Sequence, residues 1–335
     1  MKEMGEIQLA NPLPSALAHY EVALVETLGR VGVSVESYRL PSVEGLSPRL
    51  KISSALATLR IAFWPNLVRQ RVVRLWPVFG LVDLLIWPRT RHEISACVIH
   101  DPVPLRRQFG FGRMARLLLG IWPSGLLSSA ISHSRDATLE IRKLRQDLHV
   151  VEALHPIRSA QHQAAEKSHP PVILVAGQFK PARDLEVLER LGSLLRSHGF
   201  EPRIVGRGWP TVEGWFVDSR FLGETELERE ISRASAVLVP YRYFFQSGIM
   251  LRALENGSVP VAPLNSFSEA VLGHGSPFCV SDSESPNAWL KAIRLAASRS
   301  HIEVTIFESY RERCDASWTD ALRRLKDSQL RGFQS

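Results

Sequence analysis

The chain has 335 residues and is 45% hydrophobic and 22% charged, with 21 glycines and 21 prolines. That is about twice the length of one domain, so two domains are expected, and the composition excludes a disordered, collagen-like or coiled-coil chain. Net charge is +7 with a pI near 9.6, and Cys97, Cys279 and Cys314 are too few and too scattered for a disulfide framework or a zinc-binding CxxC pair, so a reducing cytoplasm is the expected compartment.

The first twenty residues mix acids with apolar positions and lead into no apolar run, so they do not read as a signal peptide. Residues 17–30 have a helical pattern and precede a strand at 33–37, and residues 59–63 form a second apolar run ending at Trp64-Pro65. A basic stretch follows. From Arg60 to Arg116 there are ten arginines against Asp83, Glu93 and Asp101, so this segment carries the whole net excess. Trp64, Trp76, Trp87 and, just beyond it, Trp122 are four of the eight tryptophans. Within residues 67–76, Val68, Val72, Leu75 and Trp76 sit at helical spacing with Arg71 and Arg74 on the other side. Arginine with tryptophan and aliphatics predicts a surface suited to an anionic membrane, with a solvated helix face as the ordinary alternative. Nucleic acid is not favoured, because no zinc finger, RNP-type or helix-turn-helix motif is present.

Two further runs in this half end in histidine, residues 96–99 before His100-Asp101 and residues 130–131 before Ser132-His133-Ser134. The longest stretch free of charge, residues 117–134, is broken by Pro123 and Gly125, and reads as a buried turn and strand rather than a spanning helix. The polar residues 155–171 read as a linker.

The second half alternates more plainly. Strands are predicted at 172–176, 203–206, 236–240, 259–262 and 278–280, with helices at 184–196, 224–233, 249–256 and 266–272. This spacing implies βαβ units and a parallel, Rossmann-like sheet. Ligands of such sheets sit beyond the carboxyl ends of the strands. The loops to inspect are therefore residues 177–184 and 241–248, and, in the first half, those at Trp64, His100 and His133.

In those loops Lys180 and Arg183 can grip a diphosphate through charge-assisted hydrogen bonds, or serve as surface charges. Ser247-Gly248 opens a helix, where a phosphate can approach backbone amides or serine can act as a cap. Glu255 lies two turns further on, placed either for a ribose diol or as a helix-end acid. His100 with Asp101 can orient or deprotonate a hydroxyl, or be satisfied structurally. Gly206-Arg-Gly-Trp-Pro-Thr211 fails the GxGxxG pattern at its sixth position, and His92-Glu93 lacks the second histidine of HExxH, so neither NAD nor a protease zinc is indicated.

Together these pieces resemble glycosyltransferases of the GT-B fold, in the group of family 4. The matching stretches are Val237-Leu-Val-Pro-Tyr-Arg242, Gln246-Ser-Gly-Ile-Met-Leu-Arg-Ala-Leu-Glu-Asn-Gly-Ser-Val-Pro-Val-Ala262 and Gly177-Gln-Phe-Lys-Pro-Ala-Arg-Asp184. Asn11-Pro12, Trp64-Pro65, His100-Asp101, His133-Ser134 and His155-Pro156 follow the same group's landmarks in order. The resemblance implies two Rossmann-like domains facing each other across a cleft. It implies an acceptor-binding domain over 1–160, a nucleotide-sugar domain over 170–310, and a final helix over 311–335 returning to the first. Lys180 and Arg183 would meet the donor diphosphate, Ser247, Gly248 and Ile249 would supply the helix start, and Glu255 would hold the ribose, with Tyr241 beside them. His100 and Asp101 would be catalytic, and Asn11, Trp64 and His133 would lie on the acceptor side. Ser247 stands where the group usually has glutamate, and Asp101 where it has asparagine, which leaves retention or inversion open.

The expected activity is transfer of a sugar from a UDP- or GDP-linked donor to a saccharide or lipid-linked acceptor in envelope or exopolysaccharide synthesis. No cofactor or metal is expected, and the expected location is cytoplasmic with peripheral attachment to the inner membrane face. The alternative is a catalytically silent scaffold subunit of the same fold. No feature selects an epimerase or phosphorylase.

Overall fold

The computed structural model describes residues 6–39, 71–87, 94–104, 108–160, 167–298 and 301–332. They divide into two units, Met1–Arg158 with Arg313–Ser335, and Ser159–Glu312. In the first unit the elements are β1 (Ile7–Asn11), α1 (Ala18–Arg30), β2 (Val35–Arg39), β3 (Arg71–Arg74), α2 (Asp83–Ile86), β4 (Ile94–Val98), α3 (Arg113–Ile121), β5 (Ser129–Ser132), α4 (Arg135–Leu144) and β6 (Val150–Glu152). Its strands are all parallel, in the order β2-β1-β3-β4-β5-β6. Both faces are covered, so β1, β4 and β5 are buried at every position, as parallel sheets require.

The second unit contains β7 (Val172–Ala176), α5 (Leu185–Ser197), β8 (Glu201–Val205), β9 (Phe216–Asp218), α6 (Glu224–Arg233), β10 (Ala236–Leu238), α7 (Gly248–Glu255), β11 (Val259–Pro263), α8 (Ser266–Leu272), β12 (Cys279–Val280) and α9 (Pro286–Ser298). The order is β12-β11-β10-β7-β8-β9, again parallel. The chain therefore winds outward in both directions from β7, and the strand order reverses between β7 and β10. α5 forms because Leu188, Leu191 and Leu195 make one buried stripe and Asp184 caps its start by accepting from the Val187 amide (3.2 Å). The last helix, α10 (Ile302–Gly332), runs from the second unit into the first.

Several expectations are corrected. Residues 71–74 are a strand, not part of an amphipathic helix: Val72 and Val73 face the core, and Arg74 is buried with its Nη2 donating to Ser128 Oγ (2.6 Å) and its guanidinium over the Trp87 ring. Residues 67–70 of that expected helix, the run at 59–63 and Trp64 lie outside the described residues. Residues 117–134 begin inside the helix α3, whose apolar side chains are largely exposed, before reaching β5. His155 is not linker but buried core of the first unit. The three-residue strands β6 and β9 were not expected, because VVE and FVD offer too short an apolar run to register.

Candidate functional site

In the second unit the reversal of strand order brings together the loops after β7 and β10, where a doubly wound sheet places its ligand. The two loops are tied to each other. The Asp184 amide donates to Pro240 O (2.8 Å), the Arg242 amide donates to Ala182 O (2.9 Å), and Arg183 and Tyr241 form an antiparallel bridge. Arg242 also pairs with the Asp184 carboxylate (3.5 Å).

Arg183 lies under this junction, 4% exposed. Its Nη2 donates to Ala176 O at the end of β7 (2.8 Å), and its guanidinium lies between the Trp209 and Tyr241 rings, 5.0 and 4.5 Å from their centroids. Burial lowers its pKa from the ordinary value, with Tyr241 opposing, and Nε has no hydrogen-bond partner among the described residues. Two aromatic faces offset part of that desolvation, each contributing on the order of 1 kcal/mol. Arg183 is thus a fixed internal cation, not a surface charge.

The geometry converges on Gly177. A Cβ there would sit 3.4 Å from Arg183 Nη2 and 3.5 Å from Ile249 Cγ1, so the end of β7, the buried cation and the first turn of α7 share one place. Gly206 after β8 presses onto the same spot: a Cβ on it would lie 2.5 Å from the Gly177 carbonyl oxygen, and its φ is +130°. Trp209 closes this side, donating from Nε1 to Gly177 O (2.8 Å) and meeting Phe179 edge-to-face (5.3 Å).

Ser247 stands at the N-cap of α7, yet its side chain makes no capping bond. The first-turn amides of α7 therefore receive no side-chain oxygen from it, and a helix start in that state favours anions. Lys180 is half-buried and makes no ion pair among the described residues. Glu255, the last residue of α7, is buried and so is not an exposed helix-end acid. Tyr241 is buried against Arg183, and Gly248 and Ile249 form the helix start.

In the first unit the strand ends bring together His100, His133 and His155, with Tyr20 from α1 among them. Ring centroids are 5.5 Å apart for His100–His133 and 5.1 Å for His133–His155, and Tyr20 lies 4.8, 5.5 and 5.0 Å from the three imidazoles. Trp76 stacks on His100 at 5.5 Å. Carbonyls set the tautomers. His133 Nδ1 faces Ala153 O (2.8 Å) and must donate, so Nε2 accepts from the Tyr20 hydroxyl (2.9 Å). His100 Nε2 donates to Leu75 O (2.9 Å), and His155 Nδ1 donates to Pro156 O (2.9 Å). Burial, then the neighbouring His100, brings His133 down to about 3, with Ala153 opposing, and His155 is also held well below the imidazole range. Burial pushes the Tyr20 phenol well above its ordinary value. His133, His155 and Tyr20 are neutral near pH 7, and the cluster can orient a hydroxyl through hydrogen bonds.

Asn11 is buried and engaged within the fold, Nδ2 donating to Glu21 Oε2 (2.6 Å) and Oδ1 accepting from the Leu13 amide (2.8 Å). Asp101, beside the cluster, is partly buried. Trp209 and Tyr20 were missed in the sequence. Trp209 follows Gly206 and Gly208 at a strand end, a pattern noticed only as a failed dinucleotide motif, whereas Tyr20 had no local signal. Among the described residues no group of three His, Cys, Asp or Glu is placed to hold a metal.

No protein-family model and no curated protein matches the chain. Solved structures do. A sucrose-phosphate synthase from Thermosynechococcus elongatus is similar over 97% of this chain and 98% of its own, with TM-score 0.63 and 12% identity. An E. coli trehalose-6-phosphate protein bound with UDP-2-fluoro glucose is similar over 96% and 97%, with TM-score 0.60 and 8% identity. TarM is similar over 84% of this chain, with TM-score 0.57 and 11% identity, and this chain spans 58% of TarM's length. Such identities bear on the fold alone: the chain has the two-domain α/β architecture of the GT-B fold, each unit built on a six-stranded parallel sheet.

Proposed function

We propose that the chain is a glycosyltransferase whose second unit binds a UDP- or GDP-linked sugar and whose first unit receives the acceptor hydroxyl. The observation that carries this reading is the convergence at Gly177 of a buried arginine, an uncapped helix start and a strand end. In the transfer, the acceptor oxygen bonds to the sugar C1 as the bond from C1 to the diphosphate oxygen breaks, negative charge collects on the departing diphosphate, and the acceptor's proton leaves with that diphosphate. Lys180 and the amides of Gly248 and Ile249 bind that charge, and Arg183 adds a fixed positive field from beneath. Preorganised groups of this kind stabilise a transition state by about 3 kcal/mol each. No metal is needed in this scheme. Glu255 is assigned to the ribose, and His100 with Asp101 to orienting the acceptor. The nucleotide-sugar ligand of the similar E. coli structure supports the donor class. The acceptor is assigned as a saccharide or lipid-linked sugar of envelope or exopolysaccharide synthesis.

The test is a thermal-shift screen with UDP, GDP and their sugars, followed by calorimetry on Lys180→Ala. Ligand at a hundred times its Kd adds about 2.7 kcal/mol of apparent stability. One nucleoside diphosphate is expected to raise Tm in the wild type. Lys180→Ala is expected to bind it at least tenfold more weakly with an unchanged ligand-free Tm, because Lys180 holds no ion pair among the described residues. A flat screen defeats the reading. Ser247, where the resembling enzymes carry glutamate, favours a second reading as a donor-binding but silent subunit. Nucleotide binding with no transfer to any saccharide or lipid-linked acceptor decides for it.

A further inference from the structure

Helix α3 presents three faces. Ala115 and Leu119 point into the core of the first unit. Met114, Leu117, Leu118 and Ile121 are all exposed, Ile121 and Met114 at 69%, and at 3.6 residues per turn they form one stripe about 100° wide. Arg113 and Arg116 occupy the remaining side, also exposed. Two aromatics extend the stripe at its ends: Phe109, 81% exposed, and Trp122, 39% exposed. Between Asp101 and Asp136 the sequence holds five arginines and no acid.

The presentation is built rather than frayed. Leu81 N donates to Gly110 O (2.9 Å), and a Cβ on Gly110 would lie 1.8 Å from Phe79 O, so the loop bearing Phe109 is clamped onto the segment before α2. At the other end Arg145 Nη1 donates to the carbonyls of Leu119 and Trp122, capping the C-terminus of α3, and Asp147 holds Arg145 in place. A rigid apolar ridge is thus held in water with cations beside it. Exposed apolar ridges of this kind mark interaction sites.

From this we infer that α3, with Phe109 and Trp122, is an interfacial anchor that docks the first unit on an anionic lipid surface. A second copy packed ridge to ridge fits less well, because Arg113 and Arg116 would meet arginines and no acid. Aliphatic side chains with a terminal tryptophan match the acyl boundary, and flanking arginines match anionic headgroups. Among the described residues no helix is long and apolar enough to cross a membrane, so α3 lies in the interface plane. The inference does not rest on the glycosyltransferase reading. It also moves the membrane surface expected over 60–116: residues 71–74 are buried strand, and α3 carries the exposed apolar face.

The test is flotation of the full chain with phosphatidylglycerol–phosphatidylcholine vesicles and with phosphatidylcholine vesicles. Binding to the anionic vesicles is expected, weakened by salt. Leu117→Glu with Ile121→Glu is expected to reduce the bound fraction at least tenfold. Arg113→Gln and Arg116→Gln are each expected to reduce it about fivefold. All four substitutions are on exposed positions, and unchanged circular dichroism and an unchanged Tm confirm folding. No flotation of the wild type, or flotation untouched by the Leu117 and Ile121 changes, overturns the inference. So does light scattering that finds a wild-type dimer which Leu117→Glu dissociates, since the ridge is then a self-interface.

Discussion

At the scale of single residues, burial decides the chemistry. His133 has the side chain of a general base, yet its folded pKa near 3 lies far below the ordinary 6.5. A group whose folded pKa is depressed contributes stability that is complete above the unfolded value and is lost as pH falls toward the folded one. For His133 that window runs from about 6.5 down to 3, at about 1.4 kcal/mol per pH unit. His155 shifts in the same direction. Urea unfolding at pH 7 and pH 5 is therefore expected to show His133→Gln losing about 2 kcal/mol less than the wild type between the two. Parallel losses would show that His133 is not a buried neutral imidazole. Arg183 makes the same point from the other sign: a lysine-arginine pair in a loop looks exposed in sequence, but the Trp209 and Tyr241 rings enclose the arginine and leave Lys180 as the accessible cation.

At the scale of elements, legibility followed pattern strength. β7, α6 and α8 have the expected bounds: β7 is an unbroken apolar run, α6 carries Glu224 and Glu226 in its first turn and Arg233 in its last, in keeping with the helix dipole, and α8 has clear capping residues. The Asn265–Ser268 capping box starts α8, for example. β3 differs from the expected helix because Arg-Val-Val-Arg between aliphatics fits a helical period as well as a strand, and it is Ser128, Trp87, Asp83 and Cys97, all distant in sequence, that make a home for Arg74. α3 was missed because its apolar side chains face water. Lys167, in the segment read as linker, does structural work between elements. Its ammonium donates to Ser232 O (3.0 Å), Ala234 O (2.9 Å) and Gly257 O (2.7 Å) and reaches Ser258 Oγ (3.0 Å). A cation here satisfies the carbonyls just past α6 and α7 and complements both helix dipoles. Lys167→Met keeps the aliphatic stem and is expected to cost about 2 kcal/mol in denaturant unfolding, with faster amide exchange at Ala234 and Gly257. Unchanged stability would mean that water replaces the ammonium at no cost.

At the scale of the whole molecule, the chain's end belongs to its beginning. Two residues beyond β6, the Leu154 amide donates to Ser317 Oγ (3.0 Å) and the Leu154 carbonyl accepts from Trp318 Nε1 (2.9 Å). Arg30 of α1 holds Asp315 through two hydrogen bonds of 2.9 Å. Trp318, Leu322 and Leu325 are fully buried, so the final turns of α10 complete the core of the first unit. Trp318→Ala is expected to cost about 4 kcal/mol. Hydrogen exchange should rise in β5 and β6 and stay unchanged in β7 and β10. A uniform rise through both units would show that they unfold as one.

The sequence by itself determined the alternation of strand and helix in the second unit, the position of the ligand loops at strand ends, and the concentration of arginine in the first half. Those features live in short periods and in composition, and neighbours along the chain suffice to express them. Only the tertiary structure decided that Arg183 lies enclosed, that three histidines and Tyr20 share one pocket, and that the apolar stripe of α3 faces water. Each of these is a question of which distant residues exclude water from a side chain, and desolvation has no signature in local spacing.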